Sequence, residues 1–261
     1  VVPEEARHPG SVSAAAMVYV ADLERPVPSA SDAHHLGHVL RLRPGEPVVA
    51  GDGQGRWRLS HYRGGRRGSP GRDQEVLEVD GPVTLVPRSA PPVTVGFVPV
   101  KGDRPEWVVQ KLTEAGVDRI AVLRSARAVV HWEGDRAAKA IERLRRVARE
   151  AGAQSRTPWL PDVVGVLDLA GLAEVVAPAP LALAHPGGDP PSVAMPAMAV
   201  GPEGGWDDSE LTPGGFPVVG LGPGILRAET AAVASGLLLC ALRNGLVGEA
   251  PGPPTGPRRD P

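Results

Sequence analysis

The chain has 261 residues and a formal net charge of -2; it is 42% apolar but only 3% aromatic, so its core must be built from Val, Leu and Ala. A single cysteine, Cys240, excludes an internal disulfide and any Cys-based zinc site. No apolar run exceeds about a dozen residues, too few for a membrane-spanning helix, and the acidic, Pro-containing start carries no signal-peptide pattern, which predicts a soluble, cytoplasmic protein with no membrane partner.

In chain order, residues 1–16 read as a flexible tail. Residues 17–88 read as a small β-barrel domain, with strands expected at 17–20, 47–50, 56–59 and 75–79. The turn 51–55 joins two of them, and Asp32 is placed to cap a short helix carrying Leu36, Val39 and Leu40. This segment is basic. Between His38 and Arg72, Arg41, Arg43, Arg56, Arg58, Arg63, Arg66, Arg67 and Arg72 are opposed only by Glu46 and Asp52. Such a run is either a polyanion-binding surface or a solvated face.

Residues 89–248 alternate strand and helix patterns, the signature of an α/β domain with a parallel sheet. Strands are expected at 93–98, 120–123, 181–184, 197–200 and 218–221. Pro105 suits the first turn of a helix ending at Gly116. Asp135 opens a second helix, whose polar face carries Arg143, Arg145, Arg146 and Arg149. The helix 231–242 is apolar nearly all round, which marks a core or a subunit interface, and Cys240 within it reads as a small core residue. Residues 249–261 have no packing pattern and read as a disordered tail.

Two glycine-rich turns stand out near the end: Gly201-Pro202-Glu203-Gly204-Gly205-Trp206 and Leu221-Gly222-Pro223-Gly224-Ile225-Leu226-Arg227-Ala228-Glu229-Thr230-Ala231. Each follows an apolar run and leads into a helix. Turns of low bulk after parallel strands place a ligand site at the carboxyl edge of the sheet. Asp207-Asp208-Ser209-Glu210 reads as a helix cap with an acid three residues on, in preference to a metal site. Trp206 reads as packing. His34, His35 and His38 read as surface or RNA-contact residues, and no metal is expected. A dinucleotide fingerprint at Gly220, Gly222 and Gly224 fails, because Ile225 occupies the third-glycine position.

These turns, with Lys111-Leu112-Thr113-Glu114-Ala115-Gly116-Val117, Glu150-Ala151-Gly152-Ala153-Gln154-Ser155 and His34-His35-Leu36-Gly37-His38-Val39-Leu40-Arg41-Leu42-Arg43-Pro44-Gly45, closely resemble the bacterial 16S rRNA (uridine-N3) methyltransferases of the SPOUT class. The resemblance spans roughly 17–247. It implies a C-terminal SPOUT-type α/β domain with a trefoil knot and an N-terminal PUA-like β-barrel for RNA binding. It also implies S-adenosyl-L-methionine as methyl donor, 16S rRNA within the small ribosomal subunit as acceptor, and a homodimer. On that basis Val200, Gly201, Pro202, Glu203, Gly204, Gly205, Leu221, Gly222, Ile225 and Leu226 are expected to hold the donor. Arg41, Arg43, Arg66, Arg67, Lys111, Arg149, Gln154 and Arg156 are expected to face RNA. Glu203 and Arg227 are the catalytic candidates, against a turn-bracing role for Glu203 and a salt bridge to Glu229 for Arg227. Gln154 has a competing role in capping its helix. Gly224 and Thr157 stand where the family often has arginine, a departure that bears on RNA affinity. The reading from a different class is a non-catalytic RNA-binding protein with a decayed SPOUT domain.

Overall fold

The first two strands are largely apolar because both of their faces are covered. In the computed structural model, which describes residues 8–64, 77–211 and 215–248, strands β1 (Ala16–Tyr19), β2 (Pro47–Gly51), β3 (Arg56–Tyr62) and β4 (Leu77–Leu85) form a sheet in the order β1-β2-β3-β4. The β1–β2 pair is parallel and the other two pairs are antiparallel. Val18, Val48 and Ala50 pack with Leu36 on one face, while Met17, Tyr19, Val49 and Trp57 pack on the other against Ala153 and Leu160 of the C-terminal part. Four-stranded is the state of the described residues; Arg66, Arg67 and Arg72 lie outside them, as do residues 1–7 and the tail expected at 249–261.

Residues 8–16 depart from the expected tail. Pro9–Ser11 forms a 3-10 turn with Pro9 buried, and Arg156 donates from Nη1 to the Val12 carbonyl at 2.8 Å and from Nη2 to the Ala14 carbonyl. That anchor comes from a residue over a hundred positions away, so no local pattern reveals it. Helix α1 (Ala30–His34), continued by a wider turn over His35–Val39, is capped by Ser29 and not by Asp32. Ser29 Oγ accepts the Asp32 amide at 3.1 Å, and the Asp32 carboxylate turns to Arg149 at 3.0 Å.

The second sheet contains β5 (Thr94–Phe97), β6 (Arg119–Leu123), β7 (Asp162–Leu167), β8 (Leu181–Asp189), β9 (Ala197–Val200) and β10 (Val218–Val219) in the order β10-β8-β9-β5-β6-β7, every pairing parallel. Its central strands are near-continuous apolar runs because helices cover both faces. Helices α2 (Arg104–Ala115), α3 (Gly134–Ser155) and α6 (Ala228–Arg243) pack on one face; α4 (Leu169–Val176) and Trp206 pack on the other. Pro105 does sit in the first turn of α2, which ends at Gly116 with φ 82°. The α2–α6 approach needs Gly236: a Cβ there would lie 2.4 Å from Leu112 Cδ2. The short α5 (Asp208–Leu211) follows β9.

Two elements escape the sequence patterns, β7 and α4. β7 is an edge strand interrupted by Gly165, and α4 has only eight residues, its start set by Asp168 Oδ1 accepting the Gly171 amide at 2.8 Å. The two sheets meet through α3 and the segment after it. Arg149 donates to the Tyr19 carbonyl at 2.6 Å, Tyr19 Oη donates to the Thr157 carbonyl at 2.7 Å, and Trp159 Nε1 donates to the Val86 carbonyl at 2.9 Å.

Candidate functional site

At the carboxyl edges of β8, β9 and β10 lies a cleft of about 500 Å³, within the size range of small-molecule sites. The two glycine-rich turns form its walls, and of the residues expected to hold a donor Gly204 alone does not line it. The turn after β9 is held by the Gly205 amide donating to the Pro202 carbonyl at 2.9 Å, with Gly205 at φ 70°. Gly222, at φ 140°, opens the second turn in a region that L side chains avoid. Trp206 is buried beneath the cleft, as a packing residue, and its Nε1–H has no acceptor among the described residues.

A third segment clamps the first turn, and it was invisible to motif reading. Arg127 donates from Nη1 to the Gly204 carbonyl at 3.2 Å and from Nη2 to Asp207 at 3.2 Å. Ser125 Oγ and the Ala126 amide donate to Glu210 at 3.0 and 3.1 Å. Glu210 also accepts the Asp207 amide at 2.8 Å, which is the capping arrangement expected from the acidic run. The Ser209 hydroxyl, its amide and then Arg127 hold the Asp207 carboxyl below its ordinary range. The residues of this loop after β6 have ordinary types at no diagnostic spacing, and only their contacts across some 80 positions mark them. His185, from β8, completes the rim and was likewise not anticipated.

The bracing role considered for Glu203 falls to Glu210. Glu203 is exposed on the cleft rim and forms no hydrogen bond or ion pair with another described residue. Arg227 occupies the N-cap position of α6, is exposed, and does not pair with Glu229. Glu229 lies instead 3.5 Å from Arg104 and supplies the negative charge that the first turn of a helix favours. Ile225 is 90% exposed at the mouth of the cleft.

The residues expected to face RNA divide into two groups. Arg41 and Arg43 are exposed on the N-terminal domain, Arg41 with φ 55°. Gln154 lines a groove with Trp107 at the far end of α3 from the cleft, where Ser155 Oγ bonds back to the Ala151 carbonyl. Lys111 is tied to Glu114 at 2.8 Å. Arg149 and Arg156 reach toward the N-terminal part: Arg149 donates from Nη2 to the Tyr19 carbonyl and the Asp32 carboxylate, and Arg156 donates to the Val12 and Ala14 carbonyls, so both help to join the two parts. His34 and His38 stack on each other at 4.5 Å. Among the described residues no group of three or more His, Cys, Asp or Glu is placed to hold a metal ion, and no helix is long and apolar enough to cross a membrane.

The chain matches the model of an RNA methyltransferase domain over residues 87–239 and that of an RNA methyltransferase PUA domain over residues 29–64. It is 37% identical over 216 residues to the ribosomal RNA small subunit methyltransferase E of Mycobacterium tuberculosis (strain CDC 1551 / Oshkosh), covering 77% of this chain and 80% of that one. Solved structures that resemble it include the following two. A putative methyltransferase from Legionella pneumophila with bound SAM superposes with a TM-score of 0.74 at 25% identity, over 88% of this chain and 98% of that one. The ribosomal RNA small subunit methyltransferase E of Neisseria gonorrhoeae, bound to S-adenosyl methionine, gives 0.68 at 26% identity, over 87% and 97%.

Proposed function

The chain belongs to the family of the ribosomal RNA small subunit methyltransferase E, and on that premise we propose that it methylates N3 of one uridine in 16S rRNA with S-adenosylmethionine as donor. The observation that carries this reading is the joining of both glycine-rich turns around one cleft, with Glu203 free on its rim and Arg227 just beyond. The residues fit the donor. The cleft is largely apolar, its turns expose backbone groups at the carboxyl edge of a parallel sheet, and Gly205 and Gly222 hold conformations that a side chain would oppose. The backbone of 200–205 and 221–226 would hold it. When bound, S-adenosylmethionine supplies an electrophilic methyl group on a sulfonium centre.

Uracil N3 is protonated at neutral pH, so the protein must take that proton or stabilise the charge that develops on the flanking carbonyl oxygens. Glu203 takes the proton in this reading. Arg227 holds the developing negative charge. Ile225 and Leu226 shield the cleft mouth once RNA covers them. Residues 17–88 bind RNA and residues 89–248, with the knot that the resemblance implies, carry the chemistry. The protein works in the cytoplasm as a homodimer, through the outer face of α6.

Single-turnover transfer onto small subunits lacking the modification tests the reading, with donor affinity measured alongside. Arg227→Ala is expected to lower the rate by roughly two to three orders of magnitude while donor affinity holds. Glu203→Gln is expected to lower the rate by an amount that shrinks at higher pH, where N3 ionises unaided. A wild-type protein that binds donor and RNA but transfers no methyl group is the non-catalytic RNA-binding protein instead.

A further inference from the structure

Four cations lie on one face of α3. Arg136, Lys139, Arg143 and Arg146 follow the i, i+3, i+7, i+10 repeat, which keeps them on one side of a helix. With Trp132 they line a groove of about 550 Å³. Arg143 is paired with Glu106 at 2.7 Å. Arg136, Lys139 and Arg146 are exposed and pair with no acid among the described residues. Between 136 and 146 the one acid is Glu142, 3.8 Å from Arg145, and Asp135 and Glu150 flank the stripe, so cations outnumber acids along this face.

The position of the stripe gives it direction. α3 is the crossover between the parallel strands β6 and β7, so it runs antiparallel to them. Its start lies at the sheet edge that carries the cleft, and its end meets β1 of the N-terminal domain through Arg149. Over residues 136–146 the stripe covers about 15 Å of helix. At its upper end, the loop after β6 supplies both Arg127, which lines the cleft, and Trp132, which lines the stripe's groove.

We propose that this stripe is a single-stranded RNA track on the methyltransferase domain, in which Arg136, Lys139 and Arg146 neutralise successive phosphates and Trp132 offers a face for a base, leading the strand from the N-terminal domain to the cleft. The inference rests on the reading of the chain as an rRNA methyltransferase and adds the route by which its substrate reaches the site. An aromatic side chain beside a cationic line is the arrangement that holds single strands without reading their sequence.

The test is filter binding of a 16S rRNA transcript by the full chain across salt concentrations, for the wild type and for Arg136→Glu/Lys139→Glu/Arg146→Glu. Each phosphate contact on a single strand contributes about 0.7 to the slope of log affinity against log salt, so three lost contacts should flatten that slope by about 2 and weaken binding at least tenfold. Donor affinity, read by calorimetry, is expected to stay at the wild-type value, which shows that the variant is folded. Trp132→Phe, which keeps the packing, should retain affinity, and Trp132→Ala should lose a further roughly fivefold or more from stacking. A triple variant with wild-type affinity and slope overturns the track. So does a variant that binds naked rRNA normally and loses only assembled small subunits, since that assigns the stripe to a protein contact. A wild-type protein that methylates no rRNA removes the underlying reading, and this inference with it. Normal wild-type methylation with an unaffected triple variant removes this inference alone.

Discussion

Arg127 is the residue that bonds the loop after β6 directly to the first glycine-rich turn, at the Gly204 carbonyl and at Asp207, and so orders that wall of the cleft. Both members of its ion pair with Asp207 are part-exposed, so its removal should cost little global stability; pairs of that kind contribute up to about 1 kcal/mol. The loss should fall on the turn instead. Arg127→Ala is expected to weaken donor binding about fivefold, the equivalent of about 1 kcal/mol, with an unchanged urea midpoint. Calorimetry beside a denaturation curve checks it; a large shift in the midpoint with unaltered donor affinity would show the arginine to be structural. Cys240 is a buried core residue on the inner side of α6, and that burial pushes its thiol up to about 11.

At the scale of the element, α6 separates two roles that its all-round apolar pattern merged. Ala231, Ala232, Ser235, Gly236, Leu239 and Cys240 face the sheet and α2, whereas Leu237 is 52% exposed on the outer side. The proposed assembly face is therefore the Leu237 side. Leu237→Glu is expected to give a folded monomer. Leu239→Glu buries a charge in the core and is expected to unfold the domain. Light scattering and circular dichroism on the two variants check the distinction, and a Leu237→Glu protein that remains dimeric at micromolar concentration rejects this face.

Across the whole molecule, Asp118 ties the stretch before β5 to the end of α6 at the edge of the sheet opposite the cleft. Its carboxylate accepts from Arg88 of the inter-sheet segment at 2.9 Å, from the Val93 amide at 2.8 Å and from Arg243 at the end of α6. Asp118 and the Arg243 side chain are both buried. Removing one member of such a pair leaves the other as an uncompensated buried charge, which costs about 3–5 kcal/mol. Asp118→Ala is expected to lower stability by about that amount in urea unfolding while donor affinity of the remaining folded protein is kept. A loss below about 1 kcal/mol would mean that Arg243 finds other partners.

The sequence by itself determined the two-part organisation, the parallel α/β sheet, the α2 start at Pro105 and the two turns that wall the cleft, because each is written in short-range signals: apolar runs buried on both faces, proline and glycine at helix ends, and glycine where φ must be positive. It could not tell which charges remain free. Arg149 and Arg156 looked like RNA contacts and bond across to the N-terminal part, and Ser125 to Arg127 hold Glu210 and the first turn with no motif at all. The same holds for the segment 8–16, held in place by Arg156. Those outcomes depend on partners some 80 to 145 residues away, and only the tertiary structure brings such partners within hydrogen-bond reach.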